Sequence, residues 1–557
     1  MGGPRPDTAG LAASTGSPAS LAPGQRNDTG AAARRVPGWL VVVVPVLAEL
    51  AAGGYRIAGP SLWRDEAATI SGSQRPVAAI WAMLPSQDAV HVPYYLLMHL
   101  VIAVAGTSAT ALRVPSLIAM CLAAGLTAAL GRRLAELSRL PFAPLAGLLA
   151  GLLLVVSPLT TRYAQEARPY ALASLFAVLA SYLLVRAVAG SQRWWWALYS
   201  ASLVLAGLVN LFALLLLVAH GISLLIARQP AGRDAAAGDP GTSGKAGGTA
   251  GGMAGTAVLR RWLAAAVAAA VVLAPLAFLT AGQSSQLSWV TRPTPSTVAS
   301  LVRDFAGSAA LIVVVAALAL LGSAAGTGIR RGDGLTLAWI ALPWLVVPPV
   351  ILLAVSLAKP LYVERYVLFC LPALAILTSA GLIWLAVLVR RALAGKGLGR
   401  RLAGALALAP SVVAALVIVL ALAGPQRAVR QVTARPDDLR AVAAVLAGHE
   451  RPGDAILYSP WDTEIIGVAY PAPFRRLRDI GLGQSPIASH TLRGLPAGPA
   501  VVAARLRGVT RLWTVQWQHP LTPGVSQPAW LTRFLAGMRE VGHWDVRSVV
   551  LRLYTVR

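Results

Sequence analysis

Trp39-Leu-Val-Val-Val-Val-Pro-Val-Leu-Ala-Glu-Leu-Ala-Ala-Gly-Gly-Tyr-Arg-Ile57 is an apolar run that follows Arg34-Arg35 and precedes Leu62-Trp63-Arg64-Asp65-Glu66. A run of about 20 apolar residues matches a hydrocarbon core of about 30 Å. Basic residues in front of it and no small-residue cleavage site behind it describe an uncleaved signal anchor with its N-terminus inside. The acidic pair Asp65-Glu66 then lies where the chain has just left the bilayer.

The same kind of run recurs along the chain. Residues 111–130, 142–159, 169–188, 194–209, 211–227, 262–281, 306–322, 335–357, 366–389 and 402–423 each read as a span. Of the 557 residues 56% are hydrophobic and only 13% charged, with a mean hydropathy of +0.65. A soluble domain could not hide that much apolar surface. The formal charge of +26 does not point to nucleic acid, because the basic residues fall in short connectors. Arg132-Arg133, Arg260-Arg261, Arg330-Arg331, Arg390-Arg391 and Arg400-Arg401 form the pattern of cytoplasmic loops. The apolar stretch 93–105 is short, and counting it as a crossing would turn every later basic loop outward. It is therefore expected to be a re-entrant or interfacial helix.

The expected fold is an α-helical multi-pass membrane protein with about eleven crossings, ending in a small external α/β domain. Residues 1–36 are rich in Ala, Gly, Ser and Pro and read as a disordered cytoplasmic tail. Residues 37–423 form the transmembrane part, with 228–257 a Gly/Ala-rich flexible cytoplasmic linker. From 424 the apolar runs stop. Pro436-Asp437-Asp438 can cap a helix, and segments 454–458, 511–517 and 548–556 read as strands. The two cysteines, Cys121 and Cys370, lie in apolar runs as buried thiols.

With this topology the polar residues near span ends collect on the outer face. Arg64, Asp65, Glu66, Asp88 and His91 lie in the first external loop. Glu166, Arg168 and Tyr170 lie in the second, and Arg365 and Tyr366 come late in the chain. Ionisable groups at membrane depth are costly and face a cavity or a partner. Each also has a plainer role open to it: a solvated loop for Asp65 and Glu66, a helix cap for Asp88, an ion pair for Glu166 with Arg168, an interfacial anchor at Arg365-Tyr366. Arg113, isolated in an apolar stretch, either snorkels or binds phosphate.

Four motifs in order carry a resemblance. Trp63-Arg64-Asp65-Glu66, then Asp88-Ala-Val-His91-Val-Pro93-Tyr94-Tyr95 with Arg113-Val-Pro115-Ser116, then Tyr163-Ala-Gln165-Glu166-Ala-Arg168-Pro169-Tyr170, and finally Glu364-Arg365-Tyr366 resemble the C-type glycosyltransferase superfamily. The match is to its family 39 branch, the dolichyl- or polyprenyl-phosphate-mannose protein mannosyltransferases and their bacterial relatives. His91-Val-Pro93 departs from the His-Pro-Pro of those enzymes, and their inserted central domain has no counterpart here. Both departures speak against a protein acceptor and leave a glycan, lipid or cell-wall acceptor open.

The resemblance implies a plasma-membrane enzyme that moves a sugar, mannose in that family, from a polyprenyl-phosphate carrier to a hydroxyl acceptor on the outer face, with inversion. Asp65 is then the catalytic base, with Glu66 tuning it or orienting the acceptor. Arg365, Arg168, Arg113 and Tyr366 bind the donor phosphate. Asp88, His91, Glu166 and Tyr170 assist the substrate or a metal. Some members of the superfamily use a divalent metal and others do not, and Glu166 with Asp88 or His91 would be its ligands. A transporter or lipid flippase is the alternative. Such proteins often show paired repeats and broken midplane helices, whereas this chain shows no internal repeat and gathers its charges at one face.

Overall fold

The computed structural model describes residues 2, 37–190, 192–227, 247–326, 335–394, 396, 399–518 and 529–556. The tail expected over 1–36 and the linker over 228–246 lie outside the described residues, Gly2 apart. The last part of that expected linker belongs instead to the helix Gly247–Gly282. Extending an existing helix by a residue costs far less than starting one, so the apolar span carries its helix back into the Gly/Ala-rich stretch.

Among the described residues seven helices are long and apolar enough to cross a membrane: Ala109–Leu137, Tyr170–Ala189, Gly255–Gly282, Ala309–Gly326, Leu337–Ala358, Glu364–Leu393 and Arg401–Ala428. An eighth candidate is the pair Ala143–Val156 and Pro158–Ala164, bent by 66°. Pro158 has no N–H to donate, so it breaks the first helix and opens the second. The other three expected spans are helical but shorter, as Leu40–Gly54, Trp194–Val209 and Leu211–Ala227. The stretch expected to be re-entrant or interfacial is the helix Val92–Ala105.

Helices in lipid gain little from apolar burial and pack through small residues. Gly322 and Gly381 show the consequence. A Cβ at Gly322 would run into the Leu377 carbonyl, and one at Gly381 into that of Leu318. The two backbones therefore cross in direct contact.

After Ala428 the chain changes character. Strands β1 (Ala455–Tyr458), β2 (Arg478–Asp479), β3 (Leu482–Gln484), β4 (Leu495–Pro496), β5 (Arg511–Trp517), β6 (Met538–Val546) and β7 (Val549–Val556) form a five-stranded sheet, ordered β2-β1-β5-β7-β6, and a β3-β4 ribbon. β2, β1 and β5 run parallel, with Ala455 opposite Leu512. β5-β7-β6 run antiparallel, with Trp517 opposite Val549. One face of the sheet closes on Leu457, Ile480, Val502, Leu512 and Leu531. The other shares a single apolar core with the first loop, where Leu62, Ile70, Tyr94, Tyr95 and Met98 pack with Leu439, Ile466, Trp513 and Leu551. The sheet is thus built onto the helix that carries the acidic pair.

Candidate active site

Asp65 and Glu66 open the helix Arg64–Ser73. Two carboxylates in a first helical turn meet the positive end of the helix dipole. The helix lies close against Val92–Ala105, where a Cβ on Gly72 would stand 2.7 Å from the Tyr95 ring. Successive residues of a helix point about 100° apart, and here the two acids part company.

Glu66 turns inward and is fully buried against Arg113. Arg113 donates to both of its oxygens, Nε to Oε1 at 2.8 Å and Nη2 to Oε2 at 2.7 Å. The remaining Arg113 donors go to the carbonyls of Ile57, Pro60 and Ser61, and the Ala167 N–H donates to Glu66 at 3.0 Å. A guanidinium has five N–H groups, and all five of Arg113 are engaged. Two expectations change as a result. Arg113 has no donor left for a lipid phosphate, and Glu66 cannot reach an acceptor. The pair locks the first loop to the second.

Asp65 stays partly exposed. Its side chain keeps 20% of its surface, and its Oδ2 lies 3.5 Å from Arg365 Nη2 with no hydrogen bond of its own. Arg365 is fixed from the other side. Its Nε donates to the Tyr170 hydroxyl at 3.1 Å, and its guanidinium lies 5.7 to 5.8 Å from the ring centroids of Tyr170, Trp289 and Tyr366. Tyr366 stacks on Phe212 at 5.0 Å and its carbonyl accepts from Asn210. An acid and a guanidinium therefore sit side by side in an aromatic frame.

The second loop, 165–169, joins the bent pair to Tyr170–Ala189, and its backbone is held from several sides. Ser116 donates to the Glu166 and Arg168 carbonyls, Thr69 to that of Ala167, and Gln165 to those of Gly53 and Tyr55. Arg168 Nη1 reaches the Asp65 carbonyl at 3.4 Å, and Nη2 meets His91 Nε2 at 2.8 Å. Arginine is always protonated, so Nε2 accepts and Nδ1–H donates to Asp88 Oδ1 at 2.6 Å. Burial pushes the His91 pKa down, against the pull of Asp88, in keeping with a neutral ring. The Tyr95 hydroxyl donates to the second Asp88 oxygen. Asp88 itself takes a left-handed backbone (φ 56°), and glutamine side chains tie its loop, Gln286 accepting from the Asp88 N–H and Gln283 from the Ala89 N–H. The run Asp88–His91–Arg168 orients the arginine toward Asp65.

Glu166 is 1% exposed, and its nearest cation is Arg435 at 3.6 Å. Burial pushes its carboxyl up, against Arg435 and Arg162. It does not converge with Asp88 and His91: one faces Arg435, and the ring nitrogens of His91 are taken by Asp88 and Arg168. Among the described residues no three His, Cys, Asp or Glu side chains are placed to hold a metal ion. The expected Asp88–His91–Glu166 metal set therefore does not fit this arrangement, and no step is routed through a metal.

The sequence reading missed Asp437 and Arg435. Asp437 is fully buried and pairs with Arg64, while Arg435 donates to the carbonyls of Arg162 and Gln165. Pro436-Asp437-Asp438 signalled a cap, and Asp438 is that cap, accepting from the Ala441 N–H. Its neighbour is the one that reaches the first loop.

Residues 91–235 match the family model for dolichyl-phosphate-mannose-protein mannosyltransferase. In fold the chain is similar to ArnT from Cupriavidus metallidurans, in the apo state and bound to undecaprenyl phosphate. For both, the TM-score is 0.54 at 16% identity, over 93% of this chain and 98% of that one. The archaeal oligosaccharyltransferase AglB from Archaeoglobus fulgidus, in complex with an inhibitory peptide and a dolichol-phosphate, aligns with a TM-score of 0.47 at 12% identity over 86% of this chain and 69% of its own. No curated protein matches the chain in sequence. The family model thus matches part of the chain, and the fold of ArnT matches nearly all of it.

Proposed function

We propose that this protein is a plasma-membrane glycosyltransferase that moves a sugar from a polyprenyl-phosphate carrier to a hydroxyl acceptor at the outer face. Mannose is the sugar suggested by the family model over 91–235. The observation that carries the reading is the partly exposed Asp65 carboxylate, whose inner oxygen Oδ2 is buried without a hydrogen bond, 3.5 Å from a ring-framed Arg365. One group can take a proton and the other can take a phosphate, at neighbouring positions.

In the reaction an acceptor hydroxyl attacks the anomeric carbon from the face opposite the lipid phosphate. Asp65 accepts the hydroxyl proton as the new C–O bond forms. The glycosidic bond to phosphate breaks, and its electron pair leaves on the phosphate oxygen. Arg365 meets that growing charge with a planar fork already in place, and Arg168, held by His91, is the second cation at the mouth. A phosphate on Arg365 also draws that cation's field away from Asp65, which favours proton uptake. Inversion follows from a single displacement.

Asp65→Asn tests the assignment, because the side chain is nearly isosteric and has lost the ability to accept the proton. With labelled polyprenyl-phosphate mannose and membranes containing the variant, transfer is expected to fall about 10²–10⁴-fold while donor binding stays. Wild-type turnover by normally expressed Asp65→Asn would remove Asp65 from the base role.

A further inference from the structure

The helix that carries Asp65 begins without a cap of its own. Its N-cap residue, Trp63, makes no side-chain hydrogen bond to the first turn, although the first N–H groups of any helix need partners. The missing acceptor comes from far along the chain. Asp437 Oδ2 accepts the Arg64 backbone N–H at 3.0 Å and Arg64 Nε at 2.8 Å, while Oδ1 accepts from Arg64 Nη2 at 2.5 Å and from the Ser548 hydroxyl at 2.5 Å. The Arg64 guanidinium lies 3.9 Å above the Trp517 ring, at the end of β5. The preceding residues are held in the same way: Tyr470 accepts the Leu62 N–H at 3.1 Å, and Ser61 accepts the Arg440 N–H at 3.0 Å. The approach to Asp65 is therefore bound by the C-terminal sheet domain, while the ion-pair partner of Asp65 itself is Arg365.

We propose that Asp437 is a positioning residue, which caps the Arg64–Ser73 helix from the C-terminal domain and so sets the direction in which Asp65 points. The inference rests on the reading of Asp65 as the base, but the cap itself is a separate physical claim. A carboxylate that takes both a backbone N–H and the side-chain fork of one residue fixes that residue's φ/ψ and its rotamer together. The next residue in the helix then has its Cα–Cβ direction set. Effective catalysis requires such preorientation, since small misplacements of a base carry large rate penalties.

The test uses the full-length protein in lipid nanodiscs, with Asp437→Ala, which removes the acceptor, and Arg64→Gln. Asp437→Ala is expected to speed amide hydrogen exchange at 65–69 at least tenfold, with exchange in the helix Leu371–Leu393 unchanged. It should lower kcat roughly 10–100-fold and leave the KM for polyprenyl-phosphate sugar within twofold. Arg64→Gln keeps the carboxylate and the backbone N–H, so exchange at 65–69 should stay near wild type. Unchanged exchange in Asp437→Ala, or equally rapid exchange in Arg64→Gln, overturns the cap. A uniform rise in exchange across all helices also overturns it, since the residue would then only hold the fold together. If the wild-type protein transferred no lipid-linked sugar while exchange followed the expected pattern, the functional reading would fall and the cap would stand.

Discussion

The resemblance gives Arg365 and Arg113 the same expected role at the donor phosphate, and the structure gives them opposite surroundings. Arg113 has every donor engaged by Glu66 and backbone carbonyls. Arg365 gives one N–H to Tyr170 and faces Asp65 at 3.5 Å without a hydrogen bond. Arg365→Ala should therefore act on the donor. Hydrogen bonds to charged groups are worth about 1.5–3 kcal/mol, so binding of a polyprenyl-phosphate sugar should weaken about ten- to a hundredfold. Arg365→Lys should recover only part of this, because an ammonium lacks the planar fork. Equal donor affinity in wild type and the alanine variant, measured by titration, would take Arg365 out of the phosphate site. Glu66 and Asp65 differ in the same way, since only their directions on one helix separate a closed ion pair from a partly exposed acid.

Strand ends and helix breaks do the positioning. The 66° bend at Ser157-Pro158 returns the chain toward the second loop, and the short 3-10 helix Glu364–Cys370 sets Arg365 at the start of a span. In the C-terminal domain the 3-10 helix Trp461–Ile465 follows β1 and carries Glu464. Burial, reinforced by Asp479 and opposed by Arg493, raises the Glu464 carboxyl to about 8. The folded state then holds a proton that the unfolded chain releases near the ordinary glutamate value. This contribution to stability is complete below about pH 4.5 and is lost as the pH rises toward 8. Thermal unfolding of the full-length protein should show a lower Tm at pH 8.5 than at pH 5.5, with Glu464→Gln flattening part of that slope. A variant with the wild-type slope would mean that Glu464 stays ionised throughout.

Because the sheet domain and the first loop share one core, they must lie on the same side of the membrane. Ser71 donates to the Leu492 carbonyl at 2.5 Å, and the Leu492 N–H donates to Gln87 at 2.9 Å. Gln74 and Ala488 are exposed on these two parts, and both native cysteines are buried. The basic-loop pattern assigns that side to the exterior. Gln74→Cys and Ala488→Cys should both react with an impermeant thiol reagent on intact cells. Protection of both would invert the assignment, and labelling of only one would break the shared core.

The multi-pass character, seven of the eleven expected spans and the four ordered motifs were legible in the chain because they are local: a run of apolar residues is long enough for a bilayer or it is not. Helix caps are local too, which is why Asp438 could be read three residues before its partner Ala441. Ion pairing is not local. Arg113 meets Glu66 across 47 positions and Arg64 meets Asp437 across 373, and no periodicity or spacing carries such a pairing. Charges brought out of water must find partners wherever the fold places them. Only the packed chain decides which carboxylate is closed into a buried ion pair and which is left partly exposed.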